Sequence, residues 1–428
     1  MTPAPHRISA TAFSTLATGG GGARAVAELC SAQASKHRLL VRLLVTEARR
    51  VGHPHADLVT RAYEALSEME ADSPEEVDRC LRHPAVGAWA LRTCRAIPGG
   101  GGDPGRLAAL ALAAAVRTRS ARTLDAPVGG GALMLPSLGL LTLPADLPEV
   151  ARVVVEPAET GAELRLADHT CRVDPSRDGP GWQVLHRITV TAGVLMTIDD
   201  LDPYRWPGDD VGGRLAEDRR ERWTEHLREA WRILRVRHRT VAEEIATAVS
   251  VLTPVVPRSL DQHSASARDT FGTIALSDPI DGMGMALTLA HELQHAKLNA
   301  LSEVVDLVEP DDGRRYYAPW RPDPRPLFGL LHGAYAHAAV AGFWRHHLRD
   351  PGRGPHAQVE FARWRDAAHQ VTEALLDSGG LTKAGTRFVA TLRDTLGRWR
   401  SESVTPTAAA QARRQSELHR QTWVKTNS

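Results

Sequence analysis

The sequence has few cysteines, no excess of charge of either sign and no long apolar run. Its four cysteines contain no Cys-x-x-Cys pair, so we expect buried thiols in a reducing cytosol instead of disulfides or a cysteine-built zinc site. Lys and Arg number 52 against 51 Asp and Glu, which argues against nucleic-acid binding through bulk charge. No apolar run approaches the roughly 20 residues that span a membrane.

The start of the chain carries no targeting signal that we recognise. Met1 to Gly22 lacks a charged segment followed by a long apolar core, so no signal peptide is expected. At 428 residues, the chain is long enough for two domains or for one large core with additions. These features predict a cytoplasmic protein that binds neither nucleic acid nor membrane, and they leave the oligomeric state open.

Periodicity divides the chain into three regions. Residues 1–130 carry helical patterns, such as the apolar stripe of Ala23–Arg50. Between Leu133 and Asp202, short runs separated by Gly, Pro and Asp predict strands, which we assign to an inserted element at 131–205. Residues 206–428 are helical again, apart from a short strand at Thr270–Ser277. The predicted fold class is α+β, mainly α-helical with a small inserted antiparallel β element.

One motif carries a specific chemistry. His291-Glu292-Leu293-Gln294-His295 reads His-Glu-x-x-His inside an apolar helical run from about Gly284 to Val308. Residues four apart lie on one face of a helix. His291 and His295 can therefore present two imidazoles to one metal ion, with Glu292 beside the first of them. The sequence thus predicts a metal site on this helix.

The third metal ligand decides the class of reaction, because a catalytic ion usually has three protein ligands. An extended zincin motif would need Gly at Leu298 and His at Leu301, so it is absent. Glu303 and Glu309 are weak candidates, since the first lies two turns further along the same helix and the second lies in a flexible acidic turn. The preferred candidate is a histidine in the apolar helix after the Arg/Pro-rich loop.

That histidine is His332, and His337 is held in reserve. His332 lies in Gly329-Leu330-Leu331-His332-Gly333-Ala334-Tyr335, directly after the loop at 319–326. A lone histidine on an apolar face is usually a core residue, but a neighbouring His-x-x-x-His pair requires a further ligand. A packed helix can supply it, and Glu292 would then not be a ligand.

Three runs of this sequence resemble a known family. They are residues 290–298 around the motif, 319–326 (Pro-Trp-Arg-Pro-Asp-Pro-Arg-Pro) and 329–335. The chain resembles the actinobacterial HExxH-motif proteins of ribosomal-peptide gene clusters, which are classed as 2-oxoglutarate-dependent HExxH-type peptide β-hydroxylases. The similarity spans nearly the whole chain. It is strongest in Phe271–Trp344 and weakest in Leu133–Asp202.

The resemblance implies Fe(II) as the metal, 2-oxoglutarate as cosubstrate, O2 as oxidant and a precursor peptide as substrate. His291, His295 and His332 would bind the ion and leave three positions for the cosubstrate and O2. A guanidinium suits the distal carboxylate of 2-oxoglutarate, and Arg321 and Arg325 are the candidates. Tyr335 can add a hydrogen bond, and Glu292 would orient a ligand or a bound water.

Two other functions remain open from the sequence. The chain can be a zinc metallopeptidase in which Glu292 is the general base that activates a zinc-bound water. It can also be a non-catalytic helical module whose histidines are structural. The sequence gives neither the identity of the precursor peptide nor the residue that is hydroxylated.

Overall fold

The computed structural model describes residues 6–256 and 263–427. Helices make up 55% and strands 15% of the chain, which confirms an α+β fold that is mainly helical. Met1–Pro5, part of the stretch considered for a signal peptide, lie outside the described residues. Within the described ranges, no helix combines the length and the apolar composition that crossing a bilayer requires.

The described residues contain thirteen α-helices. In chain order they are α1 Ala10–Ala17, α2 Gly22–Arg50, α3 Ala56–Asp72, α4 Pro74–Leu81, α5 Pro84–Ala96, α6 Arg106–Thr118, α7 Glu217–Arg237, α8 Arg239–Ala248, α9 Gly282–Ser302, α10 Leu327–Arg345, α11 Gly354–Asp377, α12 Lys383–Arg400 and α13 Pro406–Asn427.

The strands of the described residues form three small sheets. In chain order they are β1 Arg122–Pro127, β2 Ala132–Leu135, β3 Gly139–Thr142, β4 Val150–Pro157, β5 Ala162–Leu166, β6 His169–Val173, β7 Trp182–Val184, β8 His186–Thr191, β9 Val194–Ile198, β10 Val251–Pro254, β11 Ser264–Ala265 and β12 Thr273–Leu276. The sheet orders are β1-β4-β5-β6, β2-β3-β7 and β11-β12-β10-β9-β8.

The β structure is more extensive than the predicted insertion. Sheet formation starts at Arg122, before residue 131, and the third sheet takes in β10 to β12. In that sheet β10 is parallel to both β9 and β12, whereas the strands inside the predicted element at 131–205 pair with one another in antiparallel fashion. Parallel strands need long connections. The connection between β9 and β10 contains α7 and α8, which the sequence pattern assigns to the helical region at 206–428.

Three predicted helix ends also shift. The alanine-rich pattern of Leu107–Arg122 predicts a helix to Arg122, but α6 ends at Thr118, because Arg119 takes the left-handed conformation (φ 53°). The helical pattern of Val241–Val251 predicts a helix to Val251, but α8 ends at Ala248, since Val251 starts β10. The metal helix ends at Ser302 instead of Val308. A continuous apolar run does not reveal where a helix gives way to a strand or a turn.

The chain divides into two compact units. One comprises Met1–Ala32, Arg222–Ala248 and Pro279–Ser428, and the other comprises Gln33–Glu221 and Val249–Asp278. Both are assembled from stretches that are distant in sequence. The division at 130 and 205 therefore stays a prediction about independently folding domains.

Each unit has its own buried core. In the unit that contains the sheets, α6 is buried almost completely and its alanines pack among residues of α3, β1 and β4. In the other unit, α10 packs against both α9 and α11, and α13 covers α11. The histidine motif lies on α9, so α10 is the element that can bring side chains to it.

Candidate metal centre

Helix α9 is buried on most of its circumference. Asp281 caps its N-terminus, and the Oδ1 atom of Asp281 accepts a hydrogen bond of 2.7 Å from the Gly284 N–H. Both faces of the following turns are apolar, and a helix that is apolar all round belongs inside a core. The few polar side chains on α9 therefore need specific partners.

The two motif histidines face each other on one side of α9. Their Nε2 atoms are 3.2 Å apart, and the ring planes are inclined by 74°. Two nitrogens that each lie about 2.1 Å from one ion are about 3.0–3.4 Å apart at tetrahedral or octahedral angles. The separation of the His291 and His295 nitrogens therefore fits a shared metal ion.

His332 contacts the other nitrogen of His295. The two Nδ1 atoms are 3.3 Å apart, and the rings are stacked with 11° between their planes. Nδ1 and Nε2 of one imidazole point away from each other. His332 Nδ1 therefore lies on the side of His295 that is opposite His291, where an outer partner of a metal-bound histidine usually lies.

His337 lies on the His291 side. The centroids of the two rings are 5.2 Å apart. The Nδ1–H of His337 donates to the Gly333 carbonyl at 2.9 Å, which leaves Nε2 as the nitrogen with a lone pair. Trp320 stacks on the His337 ring at 4.4 Å and fills the space that a side chain at Gly333 would occupy.

Among the described residues, no third donor completes a ligating group with this pair. Across residues 6–256 and 263–427, the single group of three ligating side chains whose donor atoms all lie within 4.8 Å of one another is His83, Asp199 and Asp202, in the other unit. His332 and His337 make ring contacts with the pair.

Burial keeps the imidazoles of this cluster neutral. It lowers the pKa of His291, lowers the pKa of His295 to about 4 and lowers that of His337 well below its ordinary value. For His337, charge on His291 and on His295 lowers the pKa further. Neutral imidazole is the form that binds metal, so all three rings are in the ligating form at neutral pH.

Glu292 is buried beside the first histidine. Its Oε1 atom lies 3.9 Å from His291 Nε2, and only 2% of the side chain is exposed. That distance is too long for a direct hydrogen bond. A carboxylate here is close enough to act on a group bound next to His291.

Arg321 and Arg325 both bind Asp323. Arg321 Nε is 3.0 Å from one carboxylate oxygen, and Arg325 Nη1 is 2.9 Å from the other. Partial burial acts to raise the pKa of Asp323, but hydrogen bonds from Arg325 and Arg321 lower it below its ordinary value. Arg325 also lies against Gly329 in the first turn of α10, whereas Arg321 is more exposed.

Tyr335 is directed away from the predicted role. Its hydroxyl donates to the Leu16 carbonyl at 2.8 Å, and its side chain is 1% exposed. Burial raises the pKa of this phenol well above its ordinary value. Since its one O–H is used in that bond, Tyr335 fixes the N-terminal segment to α10 and does not serve the predicted cosubstrate contact in this arrangement.

A buried ion pair joins α9 to α8. Lys297 Nζ donates to Glu244 Oε2 of α8 and to the Gly20 carbonyl, each at 2.7 Å. Glu244 Oε1 in turn accepts from the Gly22 N–H at 2.7 Å. Because Lys297 and Glu244 are both 1% exposed, this pair ties the motif helix, α8 and the α1–α2 turn together in a dry environment.

Sequence reasoning missed Lys297 and Trp320. Lys297 is two residues after His295 in an apolar helix, which is a signal for a buried charge that needs a partner. Gly333, four residues before His337, is a signal for the close approach of a bulky group. Neither pattern identifies the partner, because Glu244 and Trp320 come from distant parts of the chain.

Comparison with known proteins assigns no family. No family model matches the chain, and no curated protein matches it. The geometry of the described side chains and the sequence resemblance are therefore the basis for the functional proposal.

Proposed function

We propose that this protein is an Fe(II)- and 2-oxoglutarate-dependent dioxygenase that hydroxylates the β-carbon of a residue in a ribosomally made precursor peptide. The observation that carries the proposal is the 3.2 Å separation of His291 Nε2 and His295 Nε2 on a buried helix. The resemblance of the three runs at 290–298, 319–326 and 329–335 selects this reaction among those that use such a pair.

The third ligand comes from α10, and the contacts favour His337. Its Nδ1–H is engaged by Gly333, which leaves Nε2 for the ion, and its ring lies next to His291. His332, which the sequence alone favoured, then acts as the outer partner of His295 through Nδ1. An outer partner fixes the tautomer and orientation of a ligating ring, so both residues of α10 serve the site.

When bound, Fe(II) with 2-oxoglutarate and O2 supplies the oxidative chemistry. The protein holds the reactants. Three neutral imidazoles leave free positions on the ion, and Arg325, beside the first turn of α10, is the preferred partner for the distal carboxylate. Arg325 must release Asp323 to do so. Glu292 orients a group bound beside His291.

A zinc peptidase is the second candidate, and the position of Glu292 favours it. The carboxylate lies 3.9 Å from His291 Nε2, within reach of a water bound to the same ion. In that reaction Glu292 would accept the proton of the attacking water. The two functions differ in their need for 2-oxoglutarate and O2.

Uncoupled turnover separates the candidates without knowledge of the peptide. The full chain is loaded with Fe(II) under anaerobic conditions, given 2-oxoglutarate and exposed to air. The proposal predicts succinate and CO2, with the yield falling at least 100-fold in His291→Ala and in His295→Ala. His356→Ala, which changes an exposed histidine on α11, is the matched control and should keep the wild-type yield.

Two results would contradict the hydroxylase. The first is a protein that binds Fe(II) through His291 and His295 but neither binds nor decarboxylates 2-oxoglutarate. The second is cleavage of a peptide library by the zinc-loaded protein that is lost in Glu292→Gln, with no oxygen requirement. The second result would establish the peptidase.

A further inference from the structure

A second cluster of ligating side chains lies in the unit that contains the sheets. His83 stands at the N-cap of α5, and Asp199 and Asp202 lie in the turn that follows β9. All three are buried, and donor atoms from all three lie within 4.8 Å of one another. The cluster lies beyond the carboxyl end of β9, which is parallel to β10, and such ends are common ligand sites.

Several polar atoms in this cluster have no partner among the described residues. Nδ1 and Nε2 of His83 and Oδ2 of Asp199 are buried and make no hydrogen bond. His83 makes no capping bond to α5 either. Leaving a buried donor or acceptor unpaired costs about 1–3 kcal/mol, so the unpaired His83 Nε2 and Asp199 Oδ2, which lie 3.8 Å apart, indicate a missing ligand.

The backbone fixes Asp199 in place. Its N–H donates to the Leu252 carbonyl of β10 at 2.9 Å. Its Oδ1 accepts from the N–H groups of Leu201 and Asp202, at 3.2 and 2.9 Å. Both lone pairs of Oδ1 are therefore used, and Oδ2 is the atom that remains for a ligand.

Asp202 pairs with Arg106 and still has free lone pairs on its carboxylate oxygens. Its Oδ2 receives Arg106 Nη2 at 2.5 Å, and its Oδ1 receives the Tyr204 N–H at 2.9 Å. Each carboxylate oxygen has two lone pairs, so one remains on each atom. Arg106 offsets one of the two carboxylate charges in the cluster.

The distance between His83 and Asp199 suits an ion better than a direct bond. Nε2 and Oδ2 are 3.8 Å apart, beyond hydrogen-bond range. At a tetrahedral angle, two bonds of about 2.0–2.2 Å to one ion place the two donor atoms about 3.4 Å apart, so an ion requires these two atoms to approach by about 0.4 Å. A buried water can also bridge such a gap, so the experiment has to distinguish an ion from a water.

We propose that His83, Asp199 and Asp202 bind a divalent transition-metal ion of the Zn²⁺ type, at a site independent of His291 and His295. One imidazole and two carboxylates form a usual donor set for such an ion. Arg106, Arg117 and Arg187 oppose positive charge at His83. Their charge opposes any divalent ion equally, and it is the imidazole of His83 that disfavours Mg²⁺ and Ca²⁺, which avoid nitrogen ligands. The ion would fasten the start of α5 to the turn after β9.

Metal content tests the proposal in the full chain. The double variant His291→Ala/His295→Ala removes the first site and is stripped with a chelator. It is then titrated with Co²⁺ and with Zn²⁺, followed by Co²⁺ visible absorption and by metal analysis after gel filtration. We expect one ion per chain with micromolar or tighter affinity, and a melting temperature higher by about 5 °C. Adding the isosteric change Asp199→Asn should remove that ion.

Each alternative outcome overturns the proposal. A folded double variant that retains no ion would show that the cluster holds a buried water at most. Millimolar binding, or one tight ion that persists after Asp199→Asn, would show adventitious binding elsewhere. Whether the double variant retains an ion is measured without the change Asp199→Asn. The test therefore holds even if the Asp199→Asn protein fails to fold. Success or failure here is independent of hydroxylase activity, since His291 and His295 are absent.

Discussion

At the scale of single residues, the candidate centre depends on which ring nitrogen faces which neighbour. His295 presents Nε2 to His291 and Nδ1 to His332. A ligating histidine usually donates its second N–H to an outer partner. This distinction assigns different roles to His332 and His337, although both lie on α10 and both contact the motif.

The roles of His332 and His337 can be separated by metal affinity. We expect His337→Ala to lose Fe(II) binding almost completely, because it removes a ligand. His332→Ala should weaken binding about 10–100-fold, as loss of an outer partner does. Equilibrium dialysis of the anaerobic protein measures both. The opposite order, with His332→Ala the more severe, would restore His332 as the ligand.

The sequence predicted that His291 and His295 lie close together, and it did not predict the residues that surround them. Helical periodicity alone brings His291 and His295 together, because four residues make about one turn. The ring neighbours of His337 come from tertiary packing, since Trp320 lies in the preceding loop and His291 lies on α9. Tyr335 is a further example. Its position three residues after His332 suggested a role in the site, but its hydroxyl donates to the Leu16 carbonyl.

At the scale of elements, α9 depends on the pair Lys297–Glu244. Burial acts to lower the pKa of Lys297, and the charge and hydrogen bond of Glu244 oppose that effect. Two charges in a dry environment are stable only as a pair. The motif helix is therefore fixed to α8 by an interaction that fails if one partner is removed.

A double-mutant cycle tests this pair. Lys297→Met should lower the free energy of unfolding by about 3–5 kcal/mol, because it leaves Glu244 buried without compensation. Lys297→Met/Glu244→Leu should recover most of the loss. Urea denaturation measures both. Arg239→Met, which removes the exposed pair with Glu243 on α8, should change little. Additive losses in the double variant would show that the charges do not depend on each other.

Element boundaries were predictable where capping and periodicity agree. Helix α9 starts at Gly282, close to the predicted Gly284, and Asp281 and Thr382 provide side-chain caps for α9 and α12. The sheets were harder, because β9 finds its parallel neighbour β10 more than fifty residues later. Strand pairing of that kind depends on long-range topology and leaves no local signal.

At the scale of the whole molecule, buried histidines make stability depend on pH. His238 stacks on Phe343 at 4.3 Å, and burial lowers the pKa of His238 to about 3. Below pH 6.5 the His238 ring binds a proton in the unfolded chain but stays neutral in the folded chain. The free energy of unfolding therefore falls as pH falls from 6.5 towards 3. The titratable and charged groups that surround this ring are His346, His347, Arg237 and Asp350.

His238→Gln tests that contribution. Glutamine keeps a polar group toward His347 Nε2, which lies 3.0 Å from His238 Nε2, and it does not titrate. Between pH 7 and pH 5, the wild type should lose about 1–2 kcal/mol of unfolding free energy more than the variant. Urea denaturation at several pH values measures the difference. Parallel pH profiles for the two proteins would refute the assignment.

The proposed function requires one divalent ion bound by His291 and His295. Anomalous diffraction at the iron edge, from crystals grown anaerobically with Fe(II), locates such an ion. We expect a peak about 2.0–2.2 Å from Nε2 of both His291 and His295, with a nitrogen of α10 as the next ligand. Iron bound only elsewhere in the molecule, or no peak between these two rings, would contradict it.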